Sequence, residues 1–251
     1  MEAILTALDE QHSELGALLA PLGESGWQRP TRCEGWSVAD VVLHLAQTDE
    51  LALASTQDRF TDGLEVLAGG LDRQGNVDAG AAAMVERERG LPNAELFERW
   101  RKGAAALRAG FAASDPHRRV TWVSGQLSCR TLATTRFAEC WIHTGDVADA
   151  LGVPQEPTDS LEHIARLAWR TLPYAFAREG KELAGPVAFD LSAPSGARWQ
   201  FVPDADPTTV IEGPGAELCL VAARRVAPEV TSLRSSGPDG RAVLELVRTY
   251  A

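Results

Sequence analysis

The chain has 251 residues, of which 45% are apolar and 24% charged, a composition typical of one large or two small globular domains. Its 24 Lys and Arg residues against 35 Asp and Glu residues give a net charge of −11, which argues against binding to nucleic acid or to anionic membranes. No apolar run reaches the roughly 18 residues of a membrane span, and the N-terminal segment lacks the basic start of a signal peptide, so we expect a cytoplasmic protein.

Helical periodicity dominates the first two-thirds of the chain. The predicted helices cover residues 3–20, a stretch beginning at Ser37, and residues 79–113, 130–151 and 159–178. Ser37 and Asp40 form the sequence pattern of a capping box, which marks the start of the second helix. The third helix contains an interruption near Gly90–Pro92, and the glycine-rich residues 61–78 are expected to form a loose connection.

The pattern changes near residue 185 from helical to strand-like. Residues 187–191 and 198–202 alternate in polarity around a predicted turn at Ser195–Gly196, and residues 208–211 form a third short β run. Helices are predicted over residues 215–224 and 239–250. The predicted fold class is therefore α+β, with a helical domain over residues 1–184 and a small α+β domain over residues 185–251.

The strongest chemical signal lies in the helix predicted over residues 130–151. Glu139 and His143 are four residues apart, so they share a helix face and can bind one divalent metal. Arg136 and Asp146 extend the same polar stripe. Such a stripe faces solvent or lines an interior site, and the helix alone does not decide between these interpretations.

His44 favours the interior site, because it lies within the strongly apolar segment Val41–Ala46 of another helix. A single histidine there is either a hydrogen-bonded core residue or a ligand. Helical bundles build metal sites from side chains of facing helices, and three ligands with an open position are typical of a catalytic metal. His44, Glu139 and His143 are thus candidate ligands, with a solvent-facing stripe and a core histidine as the alternative. Asp146 is predicted to orient the ligands or line such a site.

Several other polar or reactive residues receive simpler interpretations. His12 is expected to be exposed on the first helix, His117 to lie in a turn, and His163 in the first turn of the fifth helix. Cys140 points about 100° away from Glu139 around the helix, which predicts packing in the core. None of the remaining histidines is expected to have a functional role.

Trp36 and Trp141 are close in sequence to the candidate ligands and are candidates for the walls of a pocket. Arg224 and Arg225 follow an apolar helix, where they either complement the helix dipole or bind a substrate carboxylate. The sequence has no CxxC pair, dinucleotide-binding glycine motif, Walker A loop, GxSxG elbow or HExxH motif, so it lacks the signatures of nucleotide enzymes and serine hydrolases.

Two motifs resemble the signatures of the mycothiol-dependent maleylpyruvate isomerase family, a branch of the DinB-like bundles. The first is WQRPTRCEGWSVADVVLHL over residues 27–45, and the second is FAECWIHTGDVADALG over residues 137–152. GPGAELCLVAARR, over residues 213–225, is similar to the segment that leads to the arginine of the family's second domain. The chain differs from many relatives at Ala223, where they have glycine.

The resemblance implies a DinB-like four-helix bundle followed by a small α/β domain similar to sterol carrier proteins. It implies a divalent metal, most likely Zn²⁺, bound by His44, Glu139 and His143, with an open position that activates mycothiol as a thiolate. Arg224 then corresponds to the family arginine, with Arg225 as the alternative. The implied activity is that of an isomerase or transferase acting on a small electrophile.

These inferences assign Arg224 and Asp146 to catalysis and Arg225 and Trp141 to cofactor binding. The predicted partners are a small-molecule substrate and mycothiol, with no nucleic acid and no membrane, and the protein is expected to be a monomer or homodimer. Two alternatives stay open. One is a metal-dependent natural-product tailoring enzyme that uses no thiol, and the other is a non-catalytic metal-binding or regulatory protein.

Overall fold

A computed structural model describes residues 1–69 and 77–249 of the chain. It is a mixed α and β structure, as predicted, and it divides into two compact units, Met1–Gln155 and Glu156–Ala251. This division falls earlier in the chain than the predicted boundary between residues 184 and 185. The reason is that the helices between residues 162 and 178 pack with the sheet and helices of the second unit.

The first unit is built from helices and one β-hairpin. Its helices are α1 (Glu2–Leu19), α2 (Glu24–Trp27), α3 (Val38–Thr56), α4 (Phe60–Ala68), α5 (Val77–Glu88), α6 (Asn93–Ala112) and α7 (Cys129–Leu151). The strands β1 (Arg119–Trp122) and β2 (Gly125–Ser128) pair antiparallel immediately before α7. The four long helices form a bundle in which α1 and α3 each pack against both α6 and α7.

Two local signals place the helices that matter for the site. The Ser37 hydroxyl accepts a hydrogen bond from the Asp40 backbone N–H, and the Asp40 carboxylate accepts one from the Ser37 N–H, which confirms the predicted capping box of α3. Ser128 caps α7 in a similar way, and α7 ends at Gly152, whose φ of 73° suits glycine. Both helices therefore begin at residues whose side chains define the start.

The second unit contains a four-stranded sheet with helices packed against it. Its elements are α8 (Glu162–Arg170), α9 (Leu172–Arg178), β3 (Val187–Ser192), β4 (Arg198–Phe201), β5 (Thr209–Pro214), α10 (Gly215–Ala222), β6 (Arg234–Ser236) and α11 (Gly240–Leu246). The strand order is β4-β3-β5-β6, with β3 and β5 parallel and the other neighbours antiparallel. Among the helices of residues 1–69 and 77–249, none combines the length and hydropathy needed to cross a membrane.

The predicted loose connection over residues 61–78 is wrong at both of its ends, where α4 and the start of α5 lie; residues 70–76 are outside the described residues. Phe60, Leu64 and Leu67 lie at helical spacing and pack with Leu51 of α3. A Cβ atom at Gly63 would lie 2.8 Å from the Ala54 Cβ, so this glycine permits α4 to approach α3 closely. Gly63 therefore serves helix packing rather than a loop.

The β1–β2 hairpin and β6 were not predicted from the sequence. These strands have three or four residues, too short for alternation to distinguish them from loops. The predicted helix over residues 159–178 is divided into a short 3₁₀ turn, α8 and α9. The break between α8 and α9 falls where Pro173 lies in the first turn of α9. The end of the helix predicted over residues 239–250 lies partly outside the described residues, and α11 ends at Leu246.

Candidate metal centre

The contact between α3 and α7 brings the three predicted ligands together. The Nε2 atom of His44 lies 3.7 Å from the Oε2 atom of Glu139, and Nε2 of His143 lies 3.7 Å from the same oxygen. The two imidazole rings meet edge to face, with centroids 5.1 Å apart. One donor atom from each residue lies within 4.8 Å of the others, a grouping that suits one metal ion.

The separations of these donor atoms fit a bound cation better than direct hydrogen bonds. An N–H···O hydrogen bond spans about 2.7–3.2 Å. Two ligand atoms that are each about 2.1 Å from a tetrahedral zinc ion stand roughly 3.4 Å apart, close to the observed 3.7 Å. The two histidines are buried, whereas the Glu139 side chain is 21% exposed, so the group is partly accessible.

The surroundings of the centre favour the protonation states that metal ligands require. Burial raises the pKa of Glu139, but the neighbouring His44 and His143 rings and the charge of Arg136 outweigh it and lower that pKa to about 2. Burial lowers the pKa of His44. At neutral pH these shifts favour a charged carboxylate and a neutral imidazole, which are the forms that bind a divalent cation.

Asp146 lies behind His143 rather than among the three donors. Its Oδ2 atom is 2.9 Å from the Nδ1 atom of His143, and the residue is only 1% exposed. A carboxylate accepts hydrogen bonds, so Nδ1 carries the proton and the lone pair of Nε2 is directed to the other side of the ring. This is the arrangement by which an outer carboxylate orients a ligating histidine.

Cys33 also belongs to this site, although it was not among the residues predicted from the sequence. Its Sγ atom donates to Oδ2 of Asp146 at 3.3 Å and lies 4.0 Å from Nδ1 of His143. Cys33, His143 and Asp146 form a second group of potential metal donors that shares one histidine with the first. The available signal was its place in the TRCEGWS segment before α3, which the analysis used only for the family resemblance.

Arginines hold the segment that contains Cys33 against the C-terminal end of α7. Nη1 of Arg29 donates to the carbonyl oxygens of Ala150 and Leu151 at 3.2 and 3.3 Å. Nη2 of Arg32 donates to Asp149 at 3.2 Å. Because cations are favourable at a helix C-terminus, these contacts fix the segment over the last turns of α7.

The two tryptophans differ in their relation to the site. The Trp36 ring lies 5.2 Å from the His44 ring, so this half-buried residue forms one wall of the centre. Trp141 is buried, and its carbonyl oxygen accepts a hydrogen bond from Gln155. Cofactor binding by Trp141 stays a prediction. Cys140 is buried, and its burial raises the pKa of its thiol, in agreement with a packing role.

Arg136 is on the polar stripe of α7 but belongs to a separate buried cluster. Its Nε atom donates to Asp49 at 3.0 Å and its Nη2 atom to Thr48 at 2.9 Å.

The expectation that His12 is exposed is wrong. His12 is buried beside Asp49 and close to Arg108, and burial followed by the positive charge of Arg108 lowers the His12 pKa to about 3. Bundle packing brings these distant polar residues together, which one helix pattern does not reveal.

Arg224 and Arg225 lie in the second unit, immediately after α10. Arg224 has a left-handed φ of 59°, and its N–H donates to the carbonyl of Val221, while the N–H of Arg225 donates to that of Leu220. This is the Schellman ending of a helix, in which glycine is the usual left-handed residue. Nη1 of Arg224 also donates to the carbonyl of Glu245 at 2.7 Å. Substrate or cofactor binding by the two arginines stays a prediction.

A helical bundle with a His–Glu–His donor group on two facing helices, followed by a small unit with a four-stranded sheet, defines the class of DinB-like proteins with a small second domain. Residues 8–148 match the profile of the mycothiol maleylpyruvate isomerase N-terminal domain. The chain belongs to this family, and the family is named for an enzyme. The match includes all three residues of the donor group.

Similar proteins cover nearly the whole chain. Two uncharacterised proteins from two strains of Mycobacterium tuberculosis are each 31% identical over 245 residues, which cover 97% of this chain and 93% of theirs. Crystal structures of the mycothiol-dependent maleylpyruvate isomerase and of a histidine-to-alanine mutant of it are similar in fold. Each has a TM-score of 0.62 and 18% identity, covering 95% of both chains.

Proposed function

We propose that this protein is a metal-dependent enzyme that uses mycothiol to isomerise or transfer a group on a small electrophilic substrate. The observation that carries the proposal is the convergence of His44, Glu139 and His143 on one position, with donor separations of 3.7 Å that suit a cation. Family membership supports the use of mycothiol. The proposed metal is Zn²⁺.

The charges of the three ligands suit the activation of a thiol. Glu139 contributes one negative charge and the two imidazoles contribute none, so a divalent cation held by them keeps a net charge of about +1. Bound zinc would supply Lewis-acid stabilisation of a thiolate at neutral pH. Within the protein, Asp146 orients His143 and Trp36 shields one side of His44.

The chemical class of the substrate follows from what a nucleophilic thiol can do. A thiol adds to an activated double bond, rotation about the resulting single bond becomes possible, and loss of the thiol restores the double bond in the other geometry. A small anionic substrate would need a cationic partner, and the polar groups of mycothiol would accept hydrogen bonds from one. We assign this contact to Arg224, with Arg225 as the alternative.

The deciding experiment measures metal content and thiol binding in the same preparation. Purified protein is analysed for metals, and mycothiol is then titrated calorimetrically into the zinc-loaded and the metal-free forms. We expect about one zinc ion per chain and mycothiol binding only to the zinc form. Maleylpyruvate then serves as a test substrate, with turnover followed in the presence and absence of mycothiol.

Other outcomes would favour the alternatives. Zinc binding without any mycothiol binding would contradict the thiol-dependent function and favour a tailoring enzyme that uses no thiol. Zinc that only stabilises the fold, with neither thiol binding nor turnover, would favour a non-catalytic metal-binding protein. Size-exclusion chromatography of the same sample tests the prediction of a monomer or homodimer, and fractionation of cells tests the predicted cytoplasmic location.

A further inference from the structure

The contacts of Asp146 connect Cys33 to the metal centre. The same carboxylate oxygen, Oδ2, lies 2.9 Å from Nδ1 of His143 and 3.3 Å from Sγ of Cys33. Nε of Arg32 lies 3.9 Å from the other oxygen. Asp146 is 1% exposed, so these protein groups rather than bulk water determine where its carboxylate points.

The two ligating histidines differ in how their outer nitrogen is held. Nδ1 of His143 is next to Asp146, whereas Nδ1 of His44 is buried and has no hydrogen-bond partner among the described residues. The orientation of His143 therefore depends on a carboxylate, and that carboxylate depends on its other donors. A change at Cys33 reaches the centre through this histidine.

Cys33 is distinguished from the other cysteines by its surroundings. Cys129, Cys140 and Cys219 are buried, whereas Cys33 is half-buried and lies beside two polar atoms of the site. The contacts of Arg29 and Arg32 with the end of α7 hold its segment in place. Its thiol is thus presented to Asp146 by an anchored backbone.

We propose that Cys33 is a positioning residue of the metal centre. Its thiol donates to Oδ2 of Asp146, Asp146 accepts the proton of His143 Nδ1, and His143 is thereby held with Nε2 directed to Glu139 and His44. The inference rests on the proposed metal site. It differs from direct metal ligation by Cys33, which would require the thiol to lose its proton and His143 to bind through Nδ1.

The test compares four single variants and one double variant, Cys33→Ala/Asp146→Asn, with the wild-type protein. Cys33→Ala removes the donor, Cys33→Ser keeps a donor of another size, Asp146→Asn removes the carboxylate, and Glu34→Ala changes an exposed neighbour as the matched control. Zinc affinity is measured by competition with a chelator, and the cobalt-substituted proteins are examined by visible absorption. Thermal unfolding of the metal-free forms reports on folding separately.

Outer partners of ligating histidines typically change metal affinity by about 10–100-fold, and we expect Asp146→Asn to fall in this range. Cys33→Ala is expected to weaken zinc binding by roughly 10-fold and to shift the cobalt bands, while Cys33→Ser and Glu34→Ala stay within about threefold of wild type. In the Asp146→Asn background, Cys33→Ala should have no further effect, because it acts through the carboxylate.

Three results would overturn the proposal. One is a Cys33→Ala protein with wild-type zinc affinity and cobalt spectrum, and another is an additive effect of Cys33→Ala and Asp146→Asn. The third is a sulfur-to-cobalt charge-transfer band in wild type that both Cys33 variants lose, since it would make Cys33 a ligand. Wild-type protein that binds no metal would overturn the proposed metal-dependent function as well as the role of Cys33. The three results above overturn the role of Cys33 and leave the proposed function in place, so the two failures can be told apart.

Discussion

The helices α3 and α7 carry two polar clusters with opposite organisation. In the closed cluster, Arg136 makes direct hydrogen bonds of 3.0 and 2.9 Å to Asp49 and Thr48, and both charged residues are 2% exposed. In the metal centre, two histidines stand 3.7 Å from Glu139, whose side chain is 21% exposed. A guanidinium supplies the cation within the first cluster, whereas the donors of the second converge on a position suited to an external cation.

The comparison shows that a polar residue inside a bundle need not be a functional residue. Arg136 and Glu139 are three residues apart on the same stripe of α7, yet one completes an ion pair and the other faces two imidazoles. The closed cluster also acts on the centre, because the charge of Arg136 helps to lower the pKa of Glu139. The following predictions test whether the two clusters have separate roles.

The largest effect is expected from the double substitution His44→Ala/His143→Ala. It removes two of three ligands, so metal content should fall from about one ion per chain to none. Elemental analysis of purified protein measures this content. His117→Ala, at an exposed histidine, is the control and should keep its metal. Unchanged metal content in the double variant would contradict the assignment of the centre.

Asp49→Ala should destabilise the fold by about 3–5 kcal/mol, because it leaves the Arg136 charge buried without its partner. Urea unfolding measures the change in the free energy of unfolding. Asp149→Ala, at an exposed salt bridge, is the control and should change stability by less than about 1 kcal/mol. A small change in the free energy of unfolding for Asp49→Ala would contradict this prediction. A loss of metal from the folded variant would show that the two clusters do not have separate roles.

The buried His12, which lies beside Asp49 of the closed cluster, should make the stability of the protein depend on pH. Its pKa is about 3 in the folded protein against an ordinary value of 6.5, so the unfolded chain binds the proton more readily. This contribution is fully present above pH 6.5 and is lost as the pH falls toward 3, at no more than about 1.4 kcal/mol per pH unit. Urea unfolding across this range should show a shallower slope for His12→Gln; an identical slope would contradict a neutral buried His12.

Arg224→Gly is expected to have the smallest effect on stability and the opposite sign. Glycine relieves the left-handed backbone at φ 59°, and this outweighs the loss of the exposed hydrogen bond to Glu245, so the variant should gain up to about 1 kcal/mol. Thermal unfolding measures the gain, and mycothiol titration of the zinc form measures binding. A more stable variant that binds mycothiol more weakly would show that Arg224 takes part in ligand binding. Unchanged mycothiol binding would show that Arg224 only ends the helix α10.

Much of the bundle and part of the centre were predictable from local patterns. The i,i+4 spacing of Glu139 and His143 places both on one face of any helix, and the Ser37–Asp40 capping box marks the start of the helix that carries His44. The glycine content of residues 61–78 wrongly predicted a loop over α4, because Gly63 permits close helix packing rather than a turn.

By itself, the sequence determined the long helices of the bundle, the candidate ligands and the family resemblance, because each depends on the spacing of residues along a local segment. Only the tertiary structure decided which polar residues meet. Cys33 is far from His143 and Asp146 along the chain, and so is Asp49 from Arg136, yet both sets are in contact. These contacts depend on how α3, α7 and the segment before α3 pack together. Apolar faces drive this packing, and their pattern in the sequence does not show which polar residues it brings into contact.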